Sequence, residues 1–208
     1  MLCLLVALQQ WSGDTLVIRT IHHPPAASAA IDSASWGPPQ VRVRTGQGVA
    51  LVWLLRARDT VFVAARIPDT TPYWGDDFVM SLDTRGDGAP TPLHDDFQLY
   101  FRRALDSSVV FRGRNGKWEP PRNDPDWRLG ASRSGGGWQV SGGSDGSGWS
   151  LVVRMDPAWF AGEAGHLPHI AFRIYDDSPA GWFTSPLSRE LPQPSSLEQA
   201  PRLWVPIR

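Results

Sequence analysis

Residues 61–83, VFVAARIPDTTPYWGDDFVMSLD, restrict the possible folds more than any other stretch of the chain. Val61, Val63, Ala65 and Ile67 alternate with Phe62, Ala64 and Arg66, the two-residue period of a strand with two different faces. Pro68 ends the run, because proline has no N–H to give to a neighbouring strand, and DTTP continues the break. A second alternating run sets Phe78, Met80 and Leu82 on one side and Val79, Ser81 and Asp83 on the other. The pattern predicts strand, turn, strand: a hairpin around which the rest of the chain is arranged.

The remaining sequence repeats this grammar in short pieces. Residues 16–21, 41–44, 49–56, 97–103, 109–112, 127–131, 138–140, 149–155, 169–175 and 203–207 all read as strands. Asn115-Gly116 between two of them is the pair favoured in two-residue hairpin turns, where both residues need a positive φ. The glycine- and serine-rich residues 141–148 read as a loop, as do residues 26–39 and 120–126, and residues 176–180 as a turn. Asp156-Pro157 is the one good helix start, with aspartate as cap and proline in the first turn, and Gly162 limits it to about one turn. Many short strands and no sustained helical period predict an all-β antiparallel sandwich, jelly-roll-like, with one short helical turn.

The 208 residues suit one such domain, expected over residues 15–208. Residues 1–8, MLCLLVAL, are too short to span a bilayer; they resemble the apolar part of an export signal, so residues 1–14 are expected to be a leader and the protein secreted, periplasmic or in the cell envelope. A formal net charge of −1 and a single lysine, Lys117, leave no basic surface for nucleic acid or an anionic membrane. Cys3 is the only cysteine, so neither an intrachain disulfide nor a cysteine metal cage can form. The adjacent His22 and His23 point to opposite sides of an extended chain and read as loop.

Two groups of side chains carry candidate chemistry. Tyr73 and Trp74 stand immediately before Asp76 and Asp77 at a strand's start; a flat ring next to hydrogen-bonding acids suits a sugar, whose C–H face stacks while its hydroxyls bond. The other reading of the same residues is a core tryptophan and solvated turn acids. Asp83, Asp87 and the Asp95-Asp96 pair flank a glycine-containing loop, a donor set suited to calcium, though without the spacing of an EF-hand; the alternative is an exposed acidic turn. Of the eleven tryptophans, Trp36, Trp53, Trp138, Trp149 and Trp159 are expected in the core. Trp74, Trp118, Trp127 and Trp182 are the aromatic binding candidates, Trp74 and Trp182 lying beside turns. No Gly-x-Ser-x-Gly elbow is present for hydrolase chemistry.

One ordered set of features resembles a known family. Ile31-Asp32 precedes Trp36; Trp74-Gly75-Asp76-Asp77 follows an alternating strand; then come Leu82-Asp83-Thr84, Asp96-Phe97-Gln98, Gly148-Trp149, Met155-Asp156-Pro157 and Ile174-Tyr175-Asp176-Asp177. This order is similar to that of the family 9 carbohydrate-binding modules and the related DOMON-like sandwiches. The resemblance implies a jelly-roll-like sandwich with structural calcium, and a non-catalytic site gripping a polysaccharide or its chain end between two tryptophans. It places Trp74 as one ring and, by region, Trp182 as the other, with Asp76, Asp77, Asp177 and Arg102 as polar partners. Met80, and Val152 or a neighbour on the strand after Trp149, depart from it, standing where the family often carries glutamate. Some DOMON-like relatives hold haem b through a methionine and a histidine or lysine, so Met80 with His166 or His169 is an alternative site. A structural or interaction module of an envelope protein is a further alternative.

Overall fold

The two strands of the 61–83 stretch lie in different sheets. In a computed structural model, which describes residues 15–23, 31, 33–71, 73–104, 108–120, 137–163, 165–186 and 194–208, β4 (Thr60–Pro68) pairs with β3 (Gly48–Ala57) and β10 (Gly148–Met155). β5 (Asp77–Asp83) pairs instead with β6 (Asp96–Arg102) and β11 (His169–Asp177). The expected hairpin is therefore a crossing from one sheet to the other. Period-two alternation reports which way each side chain points. It does not report which strand lies alongside.

The first sheet runs β1 (Arg19–Thr20), β3, β4, β10, β9 (Trp138–Asp145), with β2 (Val41–Thr45) also on β3. The second runs β12 (Ala180–Ser185), β11, β5, β6, β7 (Ser108–Arg114), β8 (Lys117–Glu119), with β13 (Val205–Pro206) also on β11. Pairing is antiparallel except for the short β1–β3 contact and the Leu16–Ile207 bridge. The inward faces supply Val61, Val63, Ala65 and Ile67 from β4 and Phe78, Met80 and Leu82 from β5, packed with Trp138, Trp149 and Trp159. The expected antiparallel β-sandwich is the fold.

Two smaller cores lie outside the sheets. Ile31, ahead of the one-turn helix α1 (Ser33–Trp36), and Trp36, at the end of that helix, cover Trp53, Phe62 and Ala64 on the outer face of the first sheet. The Trp53 indole N–H donates to the Gly37 carbonyl at 2.8 Å, so this buried donor is paired. Leu197 and Trp204 cover Ala171 on the outer face of the second sheet. All five tryptophans expected in the core are buried.

Several local expectations change. Residues 141–145 of the glycine- and serine-rich stretch are strand, paired along β10, and only the turn at 146–147 is loop. Trp182 sits on β12 rather than in a loop, and Asp176 and Asp177 finish β11 rather than form the turn. The helical turn at Pro157–Phe160 forms with Asp156 accepting from the Ala158 N–H, and α1 and two 3₁₀ turns, Pro194–Gln199 and Pro201–Leu203, join it. Asn115 and Gly116 have φ of 49° and 77°, as the hairpin reading requires. The apolar leader, Pro24-Pro25, Asp32, and the expected strand at 127–131 with Trp127 lie outside the described residues.

Candidate functional site

Strand register builds a row across the outer face of the second sheet. Trp182 pairs with Tyr175, Tyr175 with Asp77, and Asp77 with Arg102, on four consecutive strands. These side chains share the face opposite Phe78 and Met80 because directly paired residues point the same way. Strands lie about 4.8 Å apart, so roughly 14 Å separates the backbones of Trp182 and Arg102. The Trp74 ring closes the far end: the Arg102 guanidinium lies 4.9 Å from its centroid. Trp74 is 65% exposed, and Trp182 is half-buried. The two indoles thus stand on one face, at one end of the sheet, with Tyr175 and Asp77 between them.

Local chemistry explains why Trp74 projects. The turn that carries it is closed by the Asp76 N–H donating to the Tyr73 carbonyl at 3.2 Å and the Tyr73 N–H donating to Asp76 Oδ2 at 3.0 Å. The Tyr73 ring folds across Gly75, where a Cβ would sit 2.6 Å from the ring, so only glycine fits without a shift. Tyr73 and Trp74 have centroids 5.5 Å apart. Arg102 donates to Asp77 at 3.4 Å, and burial holds the Asp77 carboxyl above its ordinary range against the pull of Arg102 and Arg173.

Trp182 has its own support. Its ring lies 5.3 Å from Tyr175, and the Arg173 guanidinium stands 4.6 Å from its centroid. Arg173 is buried, donates to the Tyr100 hydroxyl at 2.8 Å, and pairs with Glu198 at 2.5 Å. The Trp118 indole, an earlier binding candidate, stacks 6.3 Å from Trp204 and donates to the Glu198 carbonyl at 3.2 Å, so it braces this cover segment. The sequence motifs include Tyr175 without giving it a binding role, and they give none to Arg173, Tyr100 or Glu198. The available signal was a polar series, Arg173 and Tyr175, alternating with Ile170, Phe172 and Ile174.

Asp76 and Asp77 do different work. Asp77 faces outward in the row, whereas Asp76 is sealed inside with Asp69 and Asp176, one carboxylate oxygen of each lying within 4.8 Å of the others. Arg103 donates to Asp69 and, at 3.2 Å, to Asp76. Gln47 reaches in from the β2–β3 turn to Asp69 at 2.8 Å. Asp177 is half-buried, and its backbone N–H donates to Asp76 Oδ1 at 3.3 Å.

The acidic loop after β5 gathers Asp83, Asp87 and Asp95, with one oxygen of each within 4.8 Å of the others. Asp83 accepts from the N–H groups of Arg85, Gly86 and Gly88 and contacts His169 at 3.2 Å; burial raises its pKa, but these partners outweigh that and leave it lowered. Asp95 is 4% exposed, yet neither of its oxygens accepts a hydrogen bond from a described residue; His94 Nδ1 lies 3.5 Å from Oδ1. Asp96 lies outside this triplet: Oδ2 accepts from the Leu93 N–H at 2.7 Å and Oδ1 is without a partner among the described residues. Burial, then the charges of Asp83, Asp95 and Asp87, push Asp96 up to about 8 against the Leu93 bond.

Met80 lies in the core between the sheets, 0% exposed. His169 lies on the opposite face of the second sheet beside Asp83, and His166 is exposed on the 161–168 loop. Met80 and His169 therefore cannot face one haem. The same geometry explains why a residue at position 80 cannot reach a ligand on the row. Val152 likewise is buried, packed beneath Trp36.

Two solved structures share this architecture. A carbohydrate binding module family 9 from Caldicellulosiruptor kristjanssonii in complex with glucose matches with a TM-score of 0.53 at 13% identity, over 94% of this chain and 96% of that one. A family 9 module from the same organism in complex with cellotriose matches with a TM-score of 0.53 at 16% identity, over 92% of each chain. No protein-family model matches the sequence, and no curated protein does. At these identities the likeness is one of fold: the chain is a β-sandwich like that of the family 9 carbohydrate-binding modules.

Proposed function

We propose that this chain is a non-catalytic carbohydrate-binding module whose ligand lies on the outer face of the second sheet, between Trp74 and Trp182. The observation that carries the reading is the row Trp182–Tyr175–Asp77–Arg102 with an exposed indole at its far end. Aromatic faces take up the apolar C–H side of a pyranose, and Asp77, Asp177 and Arg102 offer acceptors and donors for its hydroxyls. Glucose and cellotriose, the ligands of the two family 9 structures, make short β-linked glucans the first class to test. Asp76 is buried and held by Arg103 and the Asp177 N–H, which favours binding over acid–base chemistry at this residue.

The same reading assigns calcium to the loop of Asp83, Asp87 and Asp95. The donor set fits: hard carboxylate oxygens from two segments, two of them buried on Asp95 without a hydrogen bond from a described residue, beside an Asp96 whose pKa is raised by burial and then by the neighbouring aspartates. Calcium there would tie the β5–β6 connection together, and no part of glycan recognition runs through it.

The test is isothermal titration of the purified chain with cellotriose, xylotriose and glucose, with and without a chelator. Heat of binding to at least one, saturating at one site per chain, is expected. Absence of binding to all three, in calcium as well as without it, overturns the carbohydrate reading.

A further inference from the structure

Asp76 sits where the segments bearing the two indoles meet, and its two oxygens divide between them. Oδ2 accepts from the Tyr73 N–H, closing the turn that carries Trp74. Oδ1 accepts from the Asp177 N–H, where β11 turns towards β12 and Trp182. Its backbone carbonyl accepts from the Arg103 N–H at 2.8 Å, which ties in the end of β6 next to Arg102. The side chain is 1% exposed, so it cannot touch a ligand on the row. We propose that Asp76 is a positioning residue, a buried anchor that sets the separation of Trp74 and Trp182 and so the width of the gap between them. This rests on the carbohydrate reading of the row only for its consequence, not for its geometry.

The groups facing Asp76 come from every segment packed on it. Asp69 follows β4, Arg103 follows β6, Asp176, Asp177 and Tyr175 belong to β11, and Tyr73 lies in its own turn. Arg103, 8% exposed on its side chain, supplies the cation in this cluster. Burial, and next the hydrogen bond and charge of Asp69, push Asp76 up to about 6 against the donors Tyr73 N–H and Arg103. The ionised carboxylate accepts both N–H bonds with full strength. Protonation gives one oxygen a hydrogen directed at Asp69 and weakens its hold on one segment. The anchor is therefore firmest above pH 6, and the gap is defined best there.

The experiment uses the full chain labelled with 5-fluorotryptophan, the Trp74 and Trp182 resonances being assigned with single Trp→Phe variants. Without any ligand, both resonances are expected to move together between pH 5 and 7 with one midpoint near 6. In Asp76→Asn the amide keeps an acceptor but cannot ionise, so this shared step disappears while the far-ultraviolet dichroism stays that of the parent. Cellotriose affinity should be at least 3-fold tighter at pH 7.5 than at pH 5 in the parent, and flat across that range in Asp76→Asn. If the two resonances do not co-titrate in the parent, or if Asp76→Asn retains the step, the anchor role is wrong; the parent titration decides this even if the variant does not fold. If the resonances co-titrate but no glycan binds, the anchor stands and the carbohydrate reading falls.

Discussion

Removing the Trp74 indole separates a binding ring from a core ring by magnitude. A tryptophan covers up to about 250 Å² when fully buried, and this one is 65% exposed, so roughly 90 Å² is lost to solvent in Trp74→Ala. At about 25 cal/mol per Å² that is ~2 kcal/mol, an upper figure because the unfolded chain already hides part of the ring. Loss of the Arg102 contact adds about 0.5 kcal/mol at such an exposed site. The control is Trp53→Ala, which empties a fully buried position and is expected to cost about 3–5 kcal/mol, besides orphaning the Gly37 carbonyl. In a chain of this length 1 kcal/mol moves Tm by about 2–4 °C. Trp74→Ala should therefore lower Tm by no more than about 5–10 °C and Trp53→Ala by about 6–20 °C. Loss of one of two stacking rings in a small site costs about 2 kcal/mol or more, which is at least ~30-fold in cellotriose Kd. Scanning calorimetry beside isothermal titration reads both numbers on the same preparations. A Tm loss for Trp74→Ala equal to that of Trp53→Ala, or an unchanged Kd, refutes the reasoning.

Three further outcomes follow from the structure. Calcium should raise Tm with the logarithm of its concentration and chelator should reverse this, while Asp95→Asn, which removes a charge from the loop, should abolish the response; equal shifts in parent and variant would place the ion elsewhere. Arg173→Met should destabilise by about 2–4 kcal/mol, since it leaves Glu198 and the Tyr100 hydroxyl without their buried partner, and denaturant unfolding measures it; a change under about 0.5 kcal/mol would show the Arg173–Glu198 pair to be dispensable. The folded pKa of Asp76 lies above its unfolded value near 3.8, so its contribution is complete below pH 4 and is lost as pH rises through 6. The stability of Asp76→Asn relative to the parent should therefore improve, by on the order of 2 kcal/mol, between pH 4 and pH 7; a difference that does not change with pH would remove Asp76 as the titrating group.

Much of the sandwich was legible because a strand's facing is written locally. The alternation of Val61, Val63, Ala65 and Ile67, and of Phe78, Met80 and Leu82, sent the same residues into the core that the sequence pattern sends there. Asn115-Gly116 announced its turn by chemistry, and Asp156-Pro157 its single helical turn. Where local signals misled, the cause was equally local: the glycines and serines of 141–145 read as loop, yet they pair along β10, because a neighbouring strand supplies the hydrogen bonds whatever the side chains are. Two adjacent aspartates, 76 and 77, read alike in the sequence. The turn closed on Tyr73 draws Asp76 into the buried cluster, and the strand that starts at Asp77 sets that residue on the outer face.

The alternating residues were enough to establish strands, faces, core tryptophans and the aromatic–acidic stretch around Trp74. The folded chain alone decided that β4 and β5 part company into different sheets, that Trp182, Tyr175, Asp77 and Arg102 fall into one row, and that Asp69, Asp76, Arg103 and Asp176 meet. The reason is range. Side-chain direction along a strand follows from the sterics of adjacent peptides, whereas which strands lie side by side depends on how distant segments share one core, and no short window of sequence contains that choice.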